Sequence, residues 1–284
     1  MMHGSAQSKL LKMISPAAPL LSNKNFRRCR ILSTLFSIDN IFINRTDTMT
    51  TSDNNRVLLI TGASTGIGRA TAVQAVNEGW KVVLAARSAE KLALLETELG
   101  AEQVMAVPCD VSDWNQQERM VRQSIERFGR LDAVFANAGF SKGSSFIEGE
   151  HQPEEWRDMV MTNVFGAAAT ARLTLPELVR TKGHFLVTGS VVGRITSIRN
   201  LYSATKWAVT GMAQAIRNEV AGTGVRVTLV EPGIVDTPFW DHIQKPAAPE
   251  LLPDDVARAV MFAINQPPHV DVNEILIRPT DQAH

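Results

Sequence analysis
Tyrosine occurs once in the chain, at Tyr202 in the stretch NLYSATKWAV, and Lys206 follows four positions later. On a helix, residues i and i+4 share a face, so the phenol and the ammonium are expected to be neighbours. A phenol titrates near ~10, and a nearby cation favours its ionised form. Bringing that value to ~7 takes ~4 kcal/mol at 1.36 per unit, which a partly buried ammonium and a second bound cation could supply together. A phenol so tuned is a general acid and base for a carbonyl–alcohol pair. The spacing alone is commonplace, however, and a solvated helix face would carry it equally well.

Three further residues give the pair a setting. Ser190 closes the apolar run HFLVTGS, where its hydroxyl could orient a substrate oxygen. Asn163 lies mid-helix in MTNVFGA, a polar amide among apolar neighbours; a buried amide satisfied by backbone would also account for it. Asn137, in ANAG, ends another apolar run, where a turn-forming asparagine is an equally good reading.

A glycine-rich turn, TGASTGIG, follows the first apolar run RVLLITG. Gly62 permits the tight turn, Gly66 lets a pyrophosphate approach the backbone, and Gly68 lets helix and strand pack closely. The free N–H groups of the next helix then face phosphate. Glycines alone are weak evidence, but a strand before and a helix after them predict nucleotide binding. Arg87 stands 19 residues beyond Gly68, where an acidic residue would hold the ribose hydroxyls of NAD. A cation there suits a 2′-phosphate, so NADP(H) is favoured over NAD(H). Asp110, in CDV, could accept a hydrogen bond from the adenine amino group, or could simply be a charge at a helix start.

These residues need a scaffold that places strand ends together. From Arg56 onward, short apolar runs alternate with amphipathic stretches. Helices are predicted over Ile67–Glu78, over AEKLALLETEL between Ser88 and Gly100, from Ser112 to Phe128, through EEWRDMVMTNVFGAAATARLTLPELV as one long helix, and around Tyr202 and Lys206. Strands are predicted in RVLLITG, KVVLAA, QVMAVPCD, LDAVFANAG, HFLVTGS, VRVTLVEPG and NEILIRP. Strands apolar on both faces and separated by helices make a parallel sheet covered on both sides. The expected fold class is α/β: a doubly wound, Rossmann-type parallel sheet of about seven strands. Ligands bind such sheets at the carboxyl ends of the strands, so the residues to inspect are those just after each strand.

Composition narrows the function classes. Lys+Arg and Asp+Glu balance at 29 each, but residues 1–48 hold seven of the bases and two of the acids. The remainder is mildly acidic and has no basic stripe, which predicts no nucleic-acid partner. No apolar run reaches the ~18 residues of a membrane span. Cys29 and Cys109 lie far apart and form no metal-spaced cluster, so no metal is expected and a reduced, cytoplasmic protein is. The first 38 residues lack acidic side chains and are rich in Ser, Lys and Arg, which suits a transit peptide or a natural start at Met49. Residues 1–48 are expected to lie outside the fold, and residues 49–284 to form a single domain.

In order, TGASTGIG, CDV, ANAG, Asn163, Ser190, YSATK and PGIVDTP resemble the short-chain dehydrogenase/reductase family, in its short single-domain branch, over about Arg56–Pro279. The resemblance implies a catalytic tetrad of Asn163, Ser190, Tyr202 and Lys206. The tyrosine transfers the proton, and the serine positions the carbonyl. The lysine binds the nicotinamide ribose and lowers the tyrosine pKa, and the asparagine anchors a water. It also implies a cofactor site from Gly62, Ser64, Thr65, Gly66, Ile67 and Gly68 through Arg87, Asp110, Val111, Asn137, Ala138 and Gly139 to Pro232, Gly233, Ile234 and Thr237. The Ile234 backbone and the Thr237 side chain would hold the carboxamide, beside Tyr202 and Lys206. Ala136 replaces a frequent second asparagine. Thr65 stands where NADP-preferring members often carry a base, so the cofactor reading rests mainly on Arg87. A homodimer or homotetramer is implied as well.

The expected activity is NADP(H)-dependent interconversion of a carbonyl compound and an alcohol, with substrate bound at Ser190 and Tyr202. Phe239, Trp240 and Ile243 in FWDHIQKPAAPELL would form a lid that favours an apolar or ring-bearing molecule, with His242 a surface residue of it. The alternatives are an NAD-linked alcohol dehydrogenase or epimerase of the same family, and a nucleotide-binding sensor without turnover.

Overall fold
The computed structural model describes residues 55–142, 145–147, 152–196, 201–241, 243 and 245–282. The 1–48 segment and His242 lie outside the described residues. The first strand, β1 (Val57–Thr61), is buried along its length, as an apolar run between two helical layers must be. Gly62 turns the chain into α1 (Gly66–Asn77), and β2 (Lys81–Ala86) follows. Ser88 caps α2 (Ala89–Leu99), accepting from the Lys91 N–H at 3.4 Å, and Gly100 closes it with φ 93°. Next come β3 (Val104–Pro108) and α3 (Trp114–Phe128).

One expectation needs correction here. The cap of α3 is Asp113, whose carboxylate accepts from the Gln116 N–H at 3.1 Å. Ser112 instead donates to Asp110, because an aspartate two residues back offers its N–H and hydroxyl a local partner. After β4 (Ala133–Ala136), the expected long helix runs without interruption through α4 (Pro153–Val160), a π-helical stretch Met161–Gly166, and α5 (Ala167–Thr181). The wider π turn contains Asn163, and such turns accompany functional side chains that must leave the regular helical track. Then follow β5 (His184–Thr188), α6 (Leu201–Glu219), β6 (Arg226–Pro232), α7 (Pro253–Ile264) and β7 (Glu274–Ile277).

All seven strands are parallel, in the order β3-β2-β1-β4-β5-β6-β7. Alternate side chains of one strand enter opposite layers, as the two-residue period requires. Val57 and Leu59 pack with Met120 of α3, Leu178 of α5 and Val209 of α6. Leu58 and Ile60 pack with Ala72 of α1, Leu92 of α2 and Val260 of α7. Strand order reverses between β1 and β4, and a crevice opens there at the carboxyl ends. The predicted α/β Rossmann-type architecture is the observed one.

Candidate active site
The glycine turn forms one wall of the crevice. Gly62 and Gly66 adopt φ values of +66° and +52°, where a side chain would be strained. A Cβ on Gly68 would lie 2.3 Å from the Gly62 carbonyl oxygen and 2.8 Å from Asn137 Nδ2. The third glycine is therefore set by helix–strand approach. Thr65 occupies the position before α1 but makes no side-chain cap bond, and the first turn holds no carboxylate. The α1 start thus keeps its N–H groups for an outside acceptor. Ser64 and Ile67 are partly buried beside it. A Cβ on Gly66 would meet Thr237 Cγ2 at 2.9 Å, which brings the PGIVDTP segment against the same turn.

Asn137 is more than a turn former. Its N–H donates to Thr61 Oγ1 at 3.0 Å and its Nδ2 to the Thr61 carbonyl at 3.1 Å. Its Oδ1 accepts from Thr188 Oγ1 at 3.1 Å. One amide thereby ties together the heads of β1, β4 and β5 and fixes Ala138 and Gly139 at the crevice rim. Arg87 stands exposed at the head of β2, with no ion-pair or hydrogen-bond partner among the described residues. At the head of β3, Asp110 Oδ1 accepts from the Ser112 N–H and hydroxyl at 2.9 and 2.7 Å. Val111 is buried against Gly166, where a Cβ would meet its Cγ2 at 2.8 Å.

The opposite wall carries the tyrosine. Ser190 follows β5 and hydrogen-bonds the Tyr202 side chain, and its Oγ also accepts from the Val192 N–H at 3.3 Å. Lys206 is 3% exposed, with Nζ 5.5 Å from the Tyr202 ring centroid. It donates to the Thr188 carbonyl at 2.6 Å. Asn163 is buried, and its amide is committed: Oδ1 accepts from the Phe140 N–H at 3.0 Å, while Nδ2 donates to the Phe140 carbonyl at 2.9 Å and to Thr205 Oγ1 at 3.1 Å. Thr205 in turn donates to the Tyr202 carbonyl at 2.7 Å. A Cβ on Gly139 would lie 3.2 Å from Asn163 Oδ1 and 3.6 Å from Lys206 Nζ. Asn163, Lys206 and Gly139 therefore converge.

Burial dominates the electrostatics of this pair. Burial pushes the Tyr202 phenol above its usual range, and the Ser190 hydrogen bond only opposes that rise. Burial also brings the lysine down to about 8, so its charge is costly to hold and is directed at the Thr188 carbonyl. Withdrawal from water and a nearby cation act on a phenol in opposite directions.

Over Tyr202 lie the rings of the FWDHIQKPAAPELL segment. Phe239 is 5.4 Å from Tyr202 between ring centroids, and Trp240 is 5.1 Å from Phe239. The segment is fastened at its base: the Asp236 N–H donates to the Leu251 carbonyl, and the Leu251 N–H to the Ile234 carbonyl, both at 2.8 Å. Lys245 pairs with both Asp236 and Glu250.

Several structural partners escaped the sequence reading. Thr188, Thr205 and the Phe140 backbone hold the candidate tetrad. Arg194 grips the fully buried Glu231 through two bonds of 2.6 and 2.8 Å, fastening the Ser190 loop to β6. A lone carboxylate inside VTLVEPG was the available signal for the last pair, since a buried charge requires a partner.

The comparisons agree with this geometry. A family model described as short chain dehydrogenase matches residues 56–248. An uncharacterized oxidoreductase of Staphylococcus aureus is 38% identical over 227 residues, which cover 79% of this chain and 97% of its own. A solved alcohol dehydrogenase from the archaeon Thermococcus sibiricus, complexed with 5-hydroxy-NADP, is 35% identical with a TM-score of 0.74, over 80% of this chain and 97% of that one. A 3-ketoacyl-(acyl-carrier-protein) reductase from Brucella melitensis, complexed with NADH, is 26% identical with a TM-score of 0.73, over 78% and 96%. With the crevice, the glycine turn and these likenesses taken together, the chain belongs to the short-chain dehydrogenase/reductase family and is an oxidoreductase of it.

Proposed function
We propose that the protein is an NADP(H)-dependent enzyme that interconverts a carbonyl compound and an alcohol, with Tyr202 as the general acid and base. The observation that carries the reading is the Tyr202–Ser190 hydrogen bond at the head of β5, with the Lys206 amine one helical turn away. A dinucleotide fits the residues present. Its pyrophosphate meets the uncapped start of α1 and Gly66, where a side chain would intrude on Thr237. The unpartnered Arg87 supports a 2′-phosphate on the ribose, since a free guanidinium pairs well with phosphate. Asp110 and Val111 would border the adenine. Pro232, Gly233, Ile234 and Thr237 would border the nicotinamide.

Bound there, the reduced nicotinamide supplies a hydride to the substrate carbon. Ser190 orients the carbonyl oxygen, and Tyr202 gives its proton to that oxygen as negative charge develops there. A neutral phenol is the form this reduction needs, and burial keeps Tyr202 in that form. Lys206 holds the ribose and returns a proton toward Tyr202. Asn163 acts by position: its amide bonds fix Phe140 and, through Thr205, the first turn of α6. Phe239 and Trp240 cover the site and favour an apolar or ring-bearing substrate. We further propose that residues 49–284 are the catalytic domain, that residues 1–48 lie outside it, and that the enzyme works in the cytoplasm as a homodimer or homotetramer.

Tyr202→Phe tests the chemistry. Carbonyl reduction across an aldehyde and ketone panel should fall about 10²–10⁴-fold, the range of a lost acid–base group, with the NADPH dissociation constant unchanged. Retained turnover would end the acid–base reading, and wild-type NADPH binding with no turnover on any panel member would favour the sensor. Arg87→Asp tests the cofactor: it should weaken NADPH by about tenfold or more, the scale of a lost charge-assisted hydrogen bond, and spare NADH. Equal wild-type affinity for the two would return the choice to NAD.

A further inference from the structure
The C-terminal turn reaches back over the head of β6. The Gln282 N–H donates to the Pro279 carbonyl at 3.0 Å, and the side-chain oxygen of Gln282 accepts the Ile234 N–H at 3.0 Å. Gly233 makes this seat possible: a Cβ there would lie 2.2 Å from Gln282 Oε1 and 3.1 Å from Arg278 Cγ. The glutamine amide therefore rests directly on the Pro-Gly backbone of the PGIVDTP segment, at a place only glycine leaves open.

The Ile234 N–H is also the donor that the reading above gives to the nicotinamide carboxamide. The group already on it is chemically the same, a primary amide presenting its oxygen. A backbone N–H carries a single proton, and a well-aligned bond occupies it. Thr237 differs in this respect. Its oxygen accepts from the Phe239 N–H at 3.4 Å, yet a hydroxyl keeps a proton and a second lone pair for another partner. Of the two carboxamide anchors, only Ile234 is fully engaged.

We propose that Gln282 is an internal stand-in for the carboxamide, so that the C-terminal turn must release Ile234 before the nicotinamide half of the cofactor docks. The inference rests on the NADP(H) reading. It concerns only one half of the ligand: on that reading the adenine, 2′-phosphate and pyrophosphate would meet the glycine turn and Arg87, whereas Gln282 contacts Gly233 and Ile234. Tail and nicotinamide thus compete, and anything that holds the tail elsewhere tightens the cofactor.

The test is calorimetric titration of the full chain with NADPH and with 2′-phospho-ADP-ribose, which lacks the nicotinamide. Gln282→Ala should tighten NADPH about three- to tenfold, the scale of one released hydrogen bond, and leave the fragment within about twofold. A chain ending at Pro279 should behave alike. An unchanged or weaker NADPH affinity overturns the proposal, as does an equal shift for both ligands, which would mark a general effect on the fold. Amide exchange gives a second readout: the Ile234 N–H should be protected in the free wild type and lose that protection in Gln282→Ala, and equal protection in both counts against the contact. Fragment and NADPH both failing to bind wild type would remove the cofactor reading itself, and with it this inference.

Discussion
The strand β5, His184–Thr188, has a buried basic group at each end. At its foot is His184, fully buried. At its head is Lys206, which donates to the carbonyl of Thr188. Both groups are pushed down by burial, His184 to about 3 with help from Arg226, and Lys206 to about 8. Their surroundings differ in kind. At the foot, Thr228 gives its proton to the Val272 carbonyl at 2.5 Å, so His184 must donate to Thr228 Oγ1 through Nε2–H, at 2.7 Å. The histidine is then neutral, with Nδ1 buried and without a partner among the described residues. At the head, the lysine faces a phenol, a serine and a glycine rim that open toward a crevice. One strand thus has a neutral, closed end and an end where a charge is held at a cost. On the proposed mechanism, that contrast separates a closed, neutral group from one that takes part in the chemistry.

Swapping the head group is expected to have the largest effect. Lys206→Met should cut carbonyl reduction by at least about 100-fold, in the range of a lost proton-transfer group. The fold should gain. Between pH 8 and 10.5 the unfolded chain holds a proton on this lysine that the folded chain has released, so stability rises with pH there and the full cost applies below pH 8. A depression of about 2.5 units corresponds to ~3 kcal/mol, less ~1 for the lost bond to Thr188. Urea unfolding at pH 7 should therefore show a gain of about 2 kcal/mol. A variant less stable than wild type would break the comparison.

The foot should affect stability and leave turnover nearly alone. Below pH 6.5 the unfolded chain protonates His184 while the folded chain refuses the proton down to about pH 3. Stability present at neutral pH is therefore lost as the pH falls, at about 1.4 kcal/mol per unit from this group. His184→Phe should flatten that slope between pH 6 and 4 and leave turnover at pH 7.5 within about twofold of wild type. An unchanged slope would mean that the histidine is already charged in the fold. A turnover change like that of Lys206→Met would show that the two ends are not separate.

The same division explains what was legible in the residue order. Local signals read well. The runs VLLIT and KVVLAA could only be strands between two layers, and Ser88 and Gly100 marked both ends of α2. The glycine turn announced itself because strand, turn and helix must be contiguous to make it. Caps chosen between adjacent acceptors did not, as Ser112 and Asp113 show. Nor did the π-helical stretch Met161–Gly166, whose Asn163 bonds to Phe140, 23 residues earlier.

The sequence by itself determined which elements form and that their strands stack in parallel. Those features follow from the period of the apolar residues and from glycine's freedom of backbone. Only the tertiary structure decided the charge states and the partners. Burial depends on what packs around a group from distant segments. The Phe239 and Trp240 rings, β5 and the C-terminal turn come from three stretches of chain, yet together they set the surroundings in which burial raises the Tyr202 pKa and lowers that of Lys206, and in which Gln282 rests on Ile234.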